Sequence, residues 1–349
     1  MIVNHQKIIS KLFAILLVIP LIGCFTFESH AAVSTVVQED LALVGNNEFS
    51  AVENTNYYKN TYKYGRGSFT KTNKIKANKG NRKFDLKTRA FLPEKTKGKI
   101  SRNPQSMVIT GKYTYVLYTK KEGSNKGWII RYNTKNLKKK SADKVKKGMK
   151  VGGTFTTGHG QSLSYNPKTK ELWMIQDLST KCVPGEQATL LRISTKSLKP
   201  NAAIKFKLKS SVAMGHNLAF DENGNAYFFT QVASNSGKGA KGNIKLYKGT
   251  ISTSKVEFQL MEQGLKTGPG EHLQGLGYDT KSKRLCLVAD GSIVSVPVNN
   301  MGNLTAGDIK ATQFKTKREF EAVEFDSKGY AYLLTNRGPE ILRSTKKAY

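Results

Sequence analysis

The chain has 349 residues, with 57 Lys or Arg against 25 Asp or Glu, a formal net charge of +32. Such a charge bears on partners and association rates rather than on fold. Three cysteines are too few for a disulfide framework.

Lys7 and Lys11 give a basic start, an apolar run covers residues 12–27, and Ser29-His30-Ala31 has the small-x-Ala form of a cleavage site. Residues 1–31 are therefore expected to be a signal peptide, and the run is too short to be expected as a membrane span. Leu21-Ile22-Gly23-Cys24 also fits a lipobox, which leaves lipid anchoring through Cys24 as the alternative to simple cleavage. Either route exports the product. Lys7, Lys11 and Glu28 carry a net +1, so a chain starting at Ala32 keeps +31. Outside a cell this charge points away from nucleic acid and towards anionic envelope polymers, with the protein extracellular or held at the wall. Only Cys182 and Cys286 remain after cleavage, expected as free, partly buried thiols with a bridge as the alternative. Their spacing is not of metal-ligand type.

Residues 32–81 are rich in Asn, Lys, Thr, Ser and Tyr and poor in aliphatic side chains. This composition predicts a flexible basic segment, because it buries too little apolar surface to offset ordering entropy. Residues 84–91 differ, with strand-like alternation that turns Phe84 and Leu86 inward and makes Phe91 a further candidate.

From residue 104 a strand–turn–strand unit recurs five times. Aligned on Met107, Leu163, Leu218, Leu276 and Val323, the residues two places earlier are Gln105, Gln161, His216, Gln274 and Glu321, at intervals of 56, 55, 58 and 47. A third strand follows in every unit and a fourth in four of them. Four antiparallel strands at this period predict an all-β, five-bladed β-propeller over residues 82–349. The fifth unit ends without room for a fourth strand, and an unpaired edge is an aggregation liability. The strand at 84–91 is expected to close the ring by completing blade five. The Lys-rich run 135–150 is expected to be a solvated loop.

The first strand of each blade lines the channel, so the aligned column forms a polar ring at one mouth. After cleavage only His159, His216 and His272 remain, all within two residues of the column. The candidate ligand-binding set is Gln105, His159, Gln161, His216, His272, Gln274 and Glu321. The histidines lack ligand-type spacing, so no metal is expected, and no cofactor. Propeller glycosidases need several carboxylates at the mouth. Here the ring holds Glu321 alone, with Glu271 and Glu324 near it in sequence and Asp177 and Asp290 ending second strands. No Gly-x-Ser-x-Gly, His-Glu-x-x-His or phosphate-cradling glycine motif occurs. A non-enzymatic monomer is expected, with a wall-glycan hydrolase or an adhesive surface protein as alternatives.

Gly158-His159-Gly160-Gln161-Ser162-Leu163 with Leu172-Trp173-Met174, and the openings Gln105-Ser106-Met107 and Gln274-Gly275-Leu276, resemble two groups. One is the teichoic-acid-biosynthesis-protein-C-like propeller of phage receptor-binding proteins. The other is the helveticin J type of secreted bacteriocin. The resemblance spans about residues 84–349 and implies a domain that docks on a Gram-positive envelope, with teichoic acid as ligand.

Overall fold

The computed structural model describes residues 34–37, 74–100, 103–121, 124–138, 142–176, 187–209, 215–231, 244–265, 268–270, 273–316, 318–336 and 338–349. Strands pair into five small antiparallel meanders, in the order of the sequence repeats. Blade one contains Asn103–Thr110, Tyr113–Thr119, Lys126–Asn133 and Lys150–Val151. Blade two contains Ser164–Asn166, Glu171–Gln176, Gln187–Ile193 and Pro200–Lys209, and blade three Ala219–Phe220, Ala226–Gln231, Ile244–Ile251 and Val256–Leu265. Blade four contains Leu273–Asp279, Arg284–Ala289, Ser292–Pro297 and Lys310–Phe314. Blade five contains Phe320–Phe325, Ala331–Thr335 and Glu340–Ser344, with Leu86–Phe91 as its fourth strand. The first strands of successive blades touch one another around the ring, and blade five returns to blade one. The protein is a five-bladed β-propeller.

Local chemistry sets each inner hairpin. Three residues past the first aligned apolar position stand Asn166, Asp221, Asp279 and Asp326. Each accepts hydrogen bonds from backbone N–H groups two or more residues ahead: Lys168 and Thr169, Asn223 and Asn225, Lys281, and Lys328 and Tyr330 respectively. Asn and Asp are turn formers because a short side chain can satisfy its own turn in this way.

The interior consists of five apolar clusters, each filled from two neighbouring blades. Trp173, Leu190 and Phe206 of blade two meet Phe228, Tyr247 and Phe258 of blade three. There Phe228 and Tyr247 stack at 4.5 Å, and Phe258 stands edge-on to Phe228 at 4.7 Å. Aromatic pairs of this kind add about 1 kcal/mol each beyond area burial. Blades four and five approach backbone to backbone. A Cβ at Gly277 would lie 2.2 Å from the Val323 carbonyl oxygen, so only glycine fits.

Leu86–Phe91 pairs antiparallel with Glu340–Ser344, so the ring closes where the alternation in 84–91 predicts. The closure also extends upstream of residue 82. Lys74–Ile75 lies outside Leu86–Phe91 in blade five, and Ala77–Lys79 adds a strand to the outer edge of blade four. Asn81 continues the strap. Its amide donates to the Ile309 carbonyl at 2.8 Å, and its carbonyl oxygen accepts the Ala311 N–H at 2.8 Å. Gly80 makes this possible, since a Cβ there would meet the Ala311 oxygen at 2.0 Å. Ser34–Val37 pairs in parallel with Pro200–Lys209 of blade two. Strand pairing thus occurs within 32–81, where composition alone predicts a flexible segment, because backbone ladders do not need aliphatic side chains.

Two further details depart from the sequence reading. The run 135–150 is not a plain solvated loop. Thr134–Lys138 and Ala142–Lys146 are short helical turns that bury Leu137 and Val145 against blades five and one. The inner strands of blades two and three are also shorter than the pattern implies. Ser162 Oγ accepts the Ile175 N–H and donates to its carbonyl, and Asn217 does the same with Phe229, so side chains replace ladder bonds. No helix among the described residues is long and apolar enough to cross a membrane. Residues 1–31, Cys24 and Cys182 lie outside the described residues. Cys286 is a free thiol, fully buried rather than partly so.

Candidate functional site

Because each blade is an antiparallel meander, all first strands begin at one mouth of the channel and all inner turns lie at the other. At the first mouth, Gln161 of blade two donates through Nε2 to Gln274 Oε1 of blade four. Glu321 of blade five accepts from Gln161 and from Asn336. These blades are not all neighbours, so the side chains meet across the axis and plug the channel. Gln105 belongs to the same wall but turns back, donating to the Pro104 carbonyl at 3.2 Å. The neighbouring Ser106 stitches blade one to blade two, donating to the Gly160 carbonyl at 2.7 Å and accepting the Leu163 N–H at 3.3 Å.

The described histidines differ in exposure. His159 is exposed, carried outward between Gly158 and Gly160, whose φ values are 64° and 88°. His216 is half-buried, and His272 lies outside the described residues. Among the described residues no His, Cys, Asp or Glu cluster is placed to hold a metal ion. Of the six predicted site residues that are described, Gln161, Gln274 and Glu321 contact one another.

Three residues that the column did not include complete the plug. Asn336 directly follows the second strand of blade five, and Glu319 and Asp290 stand close enough to act on the Glu321 carboxyl. Burial pushes that carboxyl well above the ordinary value of 4.5, and the charges of Glu319 and Asp290 push it further. The Gln161 and Asn336 bonds pull the other way. The Asp290 carboxylate is also structural, accepting the Phe320 N–H at 2.8 Å. The result is a carboxyl held above its ordinary range within an amide cluster, almost without exposed surface.

The opposite mouth has a different character. The inner turns contribute Lys112, Lys168, Lys170, Lys281, Lys283 and Lys328, against Glu222 and three aspartates, Asp221, Asp279 and Asp326, that are bound into the turns themselves. Lys283 pairs with Glu222 across blades three and four. The other five lysines are exposed.

Fold and mouth chemistry define this chain as a five-bladed propeller with a plugged polar mouth and a basic one. No protein-family model matches the sequence, and no curated protein matches it. Solved structures of similar shape include a glucose dehydrogenase, at 12% identity and a TM-score of 0.41, covering 70% of this chain and 96% of the other. A luciferin-regenerating enzyme is 12% identical at a TM-score of 0.40, covering 72% and 80%. The soluble aldose sugar dehydrogenase of Escherichia coli is 10% identical at 0.38, covering 70% and 96%. Likeness at this level carries no argument about activity. It does correct one expectation: propellers of similar shape bear enzyme names, so the non-enzymatic reading is dropped, since a fold by itself decides neither way.

Proposed function

We propose that the protein is exported and holds to an anionic, teichoic-acid-like polymer of a bacterial cell envelope. The observation that carries this reading is how charge is sorted between interior and surface. Asp221, Asp279, Asp290, Glu262, Glu321 and Glu340 are all buried, bound into turns, loops, the channel plug and the closing seam. Five lysines of the inner turns, and Lys120, Lys121, Lys126 and Lys315 at the other mouth, stay exposed. The surface is therefore more basic than the net charge of +32 conveys, and such a field attracts polyanions in a salt-dependent way. The resemblance to helveticin J-type bacteriocins adds killing of other bacteria as a consequence of this docking. Retention on isolated walls, compared with teichoic-acid-stripped walls at two salt concentrations, tests the binding. Equal retention on stripped walls would sink it.

A second reading, hydrolysis of wall glycan at the plugged mouth, is favoured by one observation. Glu321, with a carboxyl pushed up by burial, stands near two further carboxylates, Glu319 and Asp290, and carboxylates whose environments differ in this way can divide acid and base roles. Glu321→Gln would abolish release of sugars from walls if this reading holds and leave wall retention unchanged if it does not.

A further inference from the structure

The inner turns repeat more closely than their lengths suggest. Five residues past the aligned apolar position stand Lys112, Lys168, Asn223, Lys281 and Lys328, so four of five blades place lysine at the same step. The inner strands of neighbouring blades run side by side, with Gly275 against Glu321 and Gly277 against Val323. Equivalent residues are thus related by rotation about the channel axis. The turns pack on one another as well. A Cβ at Gly224 would lie 3.0 Å from Lys168 Cβ, and one at Gly329 would lie 3.4 Å from Lys281 Cβ. The four lysines, with Lys170, therefore encircle the mouth on a rigid collar of turns.

The acids of the collar do not neutralise it. Asp221 binds the Asn223 and Asn225 N–H groups, the Asn225 amide and the Tyr227 hydroxyl. Asp279 binds the Lys281 N–H and the Ser282 hydroxyl. Asp326 binds its own turn, the Tyr332 hydroxyl and Arg343. Their carboxylates face into the blades while the ammonium groups face water. The basic groups at these equivalent positions are lysines rather than arginines. An ammonium binds phosphate as a point charge, without the fixed bidentate geometry by which an arginine fork grips carboxylate or phosphate, and so suits a flexible chain of anions.

We propose that this collar of Lys112, Lys168, Lys170, Lys281 and Lys328 is the docking surface for a linear polymer with repeating phosphodiester anions. The proposal rests on the polyanion reading above and assigns it to the mouth opposite the Gln161–Gln274–Glu321 plug. A chain with regularly spaced charges can engage several lysines of the collar at once, which multiplies weak single contacts.

The test compares three full-length chains: the natural one, a variant with Lys112, Lys168, Lys281 and Lys328 each changed to Gln, and a control with Lys120, Lys121, Lys126 and Lys315 each changed to Gln. Both variants lose the same charge, from opposite mouths, and all eight side chains are exposed. Binding to linear poly(glycerol phosphate) at low salt should fall at least about tenfold in the collar variant. It should fall less than about threefold in the control, with matching thermal melts for all three. The salt dependence of the collar variant should also flatten. Equal losses in the two variants would overturn the collar while leaving the polyanion reading intact. Collar-dependent binding to polyglutamate as tight as to poly(glycerol phosphate) would overturn the phosphodiester class. Collar-dependent binding to phosphatidylglycerol vesicles but not to the free polymer would overturn the chain-like ligand. No binding of the natural protein to either polymer or to vesicles would overturn both this proposal and the reading beneath it. Should the fourfold collar variant fail to fold, Lys168→Gln and Lys281→Gln singly should each show a partial loss that is absent from Lys120→Gln.

Discussion

The Thr88 hydroxyl donates to the Glu340 carboxylate, tying the N-terminal strand to a strand 252 residues further along the chain. The other oxygen of Glu340 meets Arg318 Nη1 at 2.8 Å, and neither charged side chain has more than 5% exposure. Arg318 also donates to Thr335 Oγ1 at 2.6 Å and to the Gly338 carbonyl at 3.0 Å. The seam of the ring is thus a buried ion pair with its hydrogen bonds largely met inside the protein.

Glu340→Gln should therefore destabilise the protein by about 3–5 kcal/mol, because removing one partner strands the Arg318 charge in the interior. Thr88→Val should cost about 1 kcal/mol. Urea unfolding of the two variants checks the order. A smaller loss for Glu340→Gln than for Thr88→Val would show that Arg318 finds another counter-charge.

Removing residues 86–91 should abolish folding, since blade five would lose its fourth strand and expose the edge of Glu340–Ser344. A chain that starts at residue 74 keeps both strap strands and the closing strand, and should retain a cooperative melt. Circular dichroism of the two truncations separates them.

Gly277→Ala should cost more than about 2 kcal/mol, since a methyl 2.2 Å from the Val323 carbonyl forces two inner strands apart. Gly98→Ala offers the contrast in space alone, having nothing within 4 Å, though its φ of 76° adds a smaller backbone strain. Thermal melts should rank Gly277→Ala well below Gly98→Ala.

Stability should fall as pH rises through the neutral range. Glu262 of blade three is buried and accepts the Gly302 N–H at 2.8 Å, fastening a loop of blade four. Burial lifts its carboxyl from the usual 4.5 to about 7, against the pull of the Gly302, Leu304 and Gln263 N–H groups. A raised acid binds its proton more tightly in the folded state. Its contribution is therefore full below about pH 4.5 and is lost as pH rises to about 7. The loss is bounded at roughly 3 kcal/mol. Half-buried Glu324, raised by burial to about 8, acts in the same direction. Glu262→Gln should flatten the melting temperature between pH 5 and pH 8, leaving the smaller decline from Glu324. An unchanged slope would mean that Glu262 is ionised throughout.

Cys286 is fully exposed to solvent only on unfolding. Burial, with the Asp279 charge, pushes its thiol well above the ordinary value, and Tyr349 closes over it. In a chain with Cys24 and Cys182 changed to Ser, a thiol reagent should modify Cys286 at the global unfolding rate and no faster.

The repeat, its turn chemistry and the need for a closing strand were all legible in the amino-acid order, because each rests on local patterns. Asp or Asn before each of four turns, apolar alternation on either side, and a fifth unit short of one strand require no knowledge of neighbours. The strap at 74–82 was not legible, since the Asn81 side chain and Gly80 meet the backbone of residues some 230 positions away. The same applies to Leu137 and Val145, two apolar residues in a run of lysines that find their pocket only between two blades.

At the site, sequence alignment put Gln161, Gln274 and Glu321 in one column but did not say that their side chains cross the axis. That depends on channel width, which is set by how closely the inner strands pack at Gly275 and Gly277. His159 sits two residues from the column in sequence and faces solvent, because two glycines in the left-handed region carry it outward. The lysine step in the turns was also present in the aligned sequence. It became a surface only once the blades were wound around a common axis and the carboxylates beside those lysines were seen to turn inward. Sequence determined how many blades there are and what each turn contains. Tertiary structure decided which groups meet across the channel and which are left facing water, because both depend on distances between residues that the chain order holds far apart.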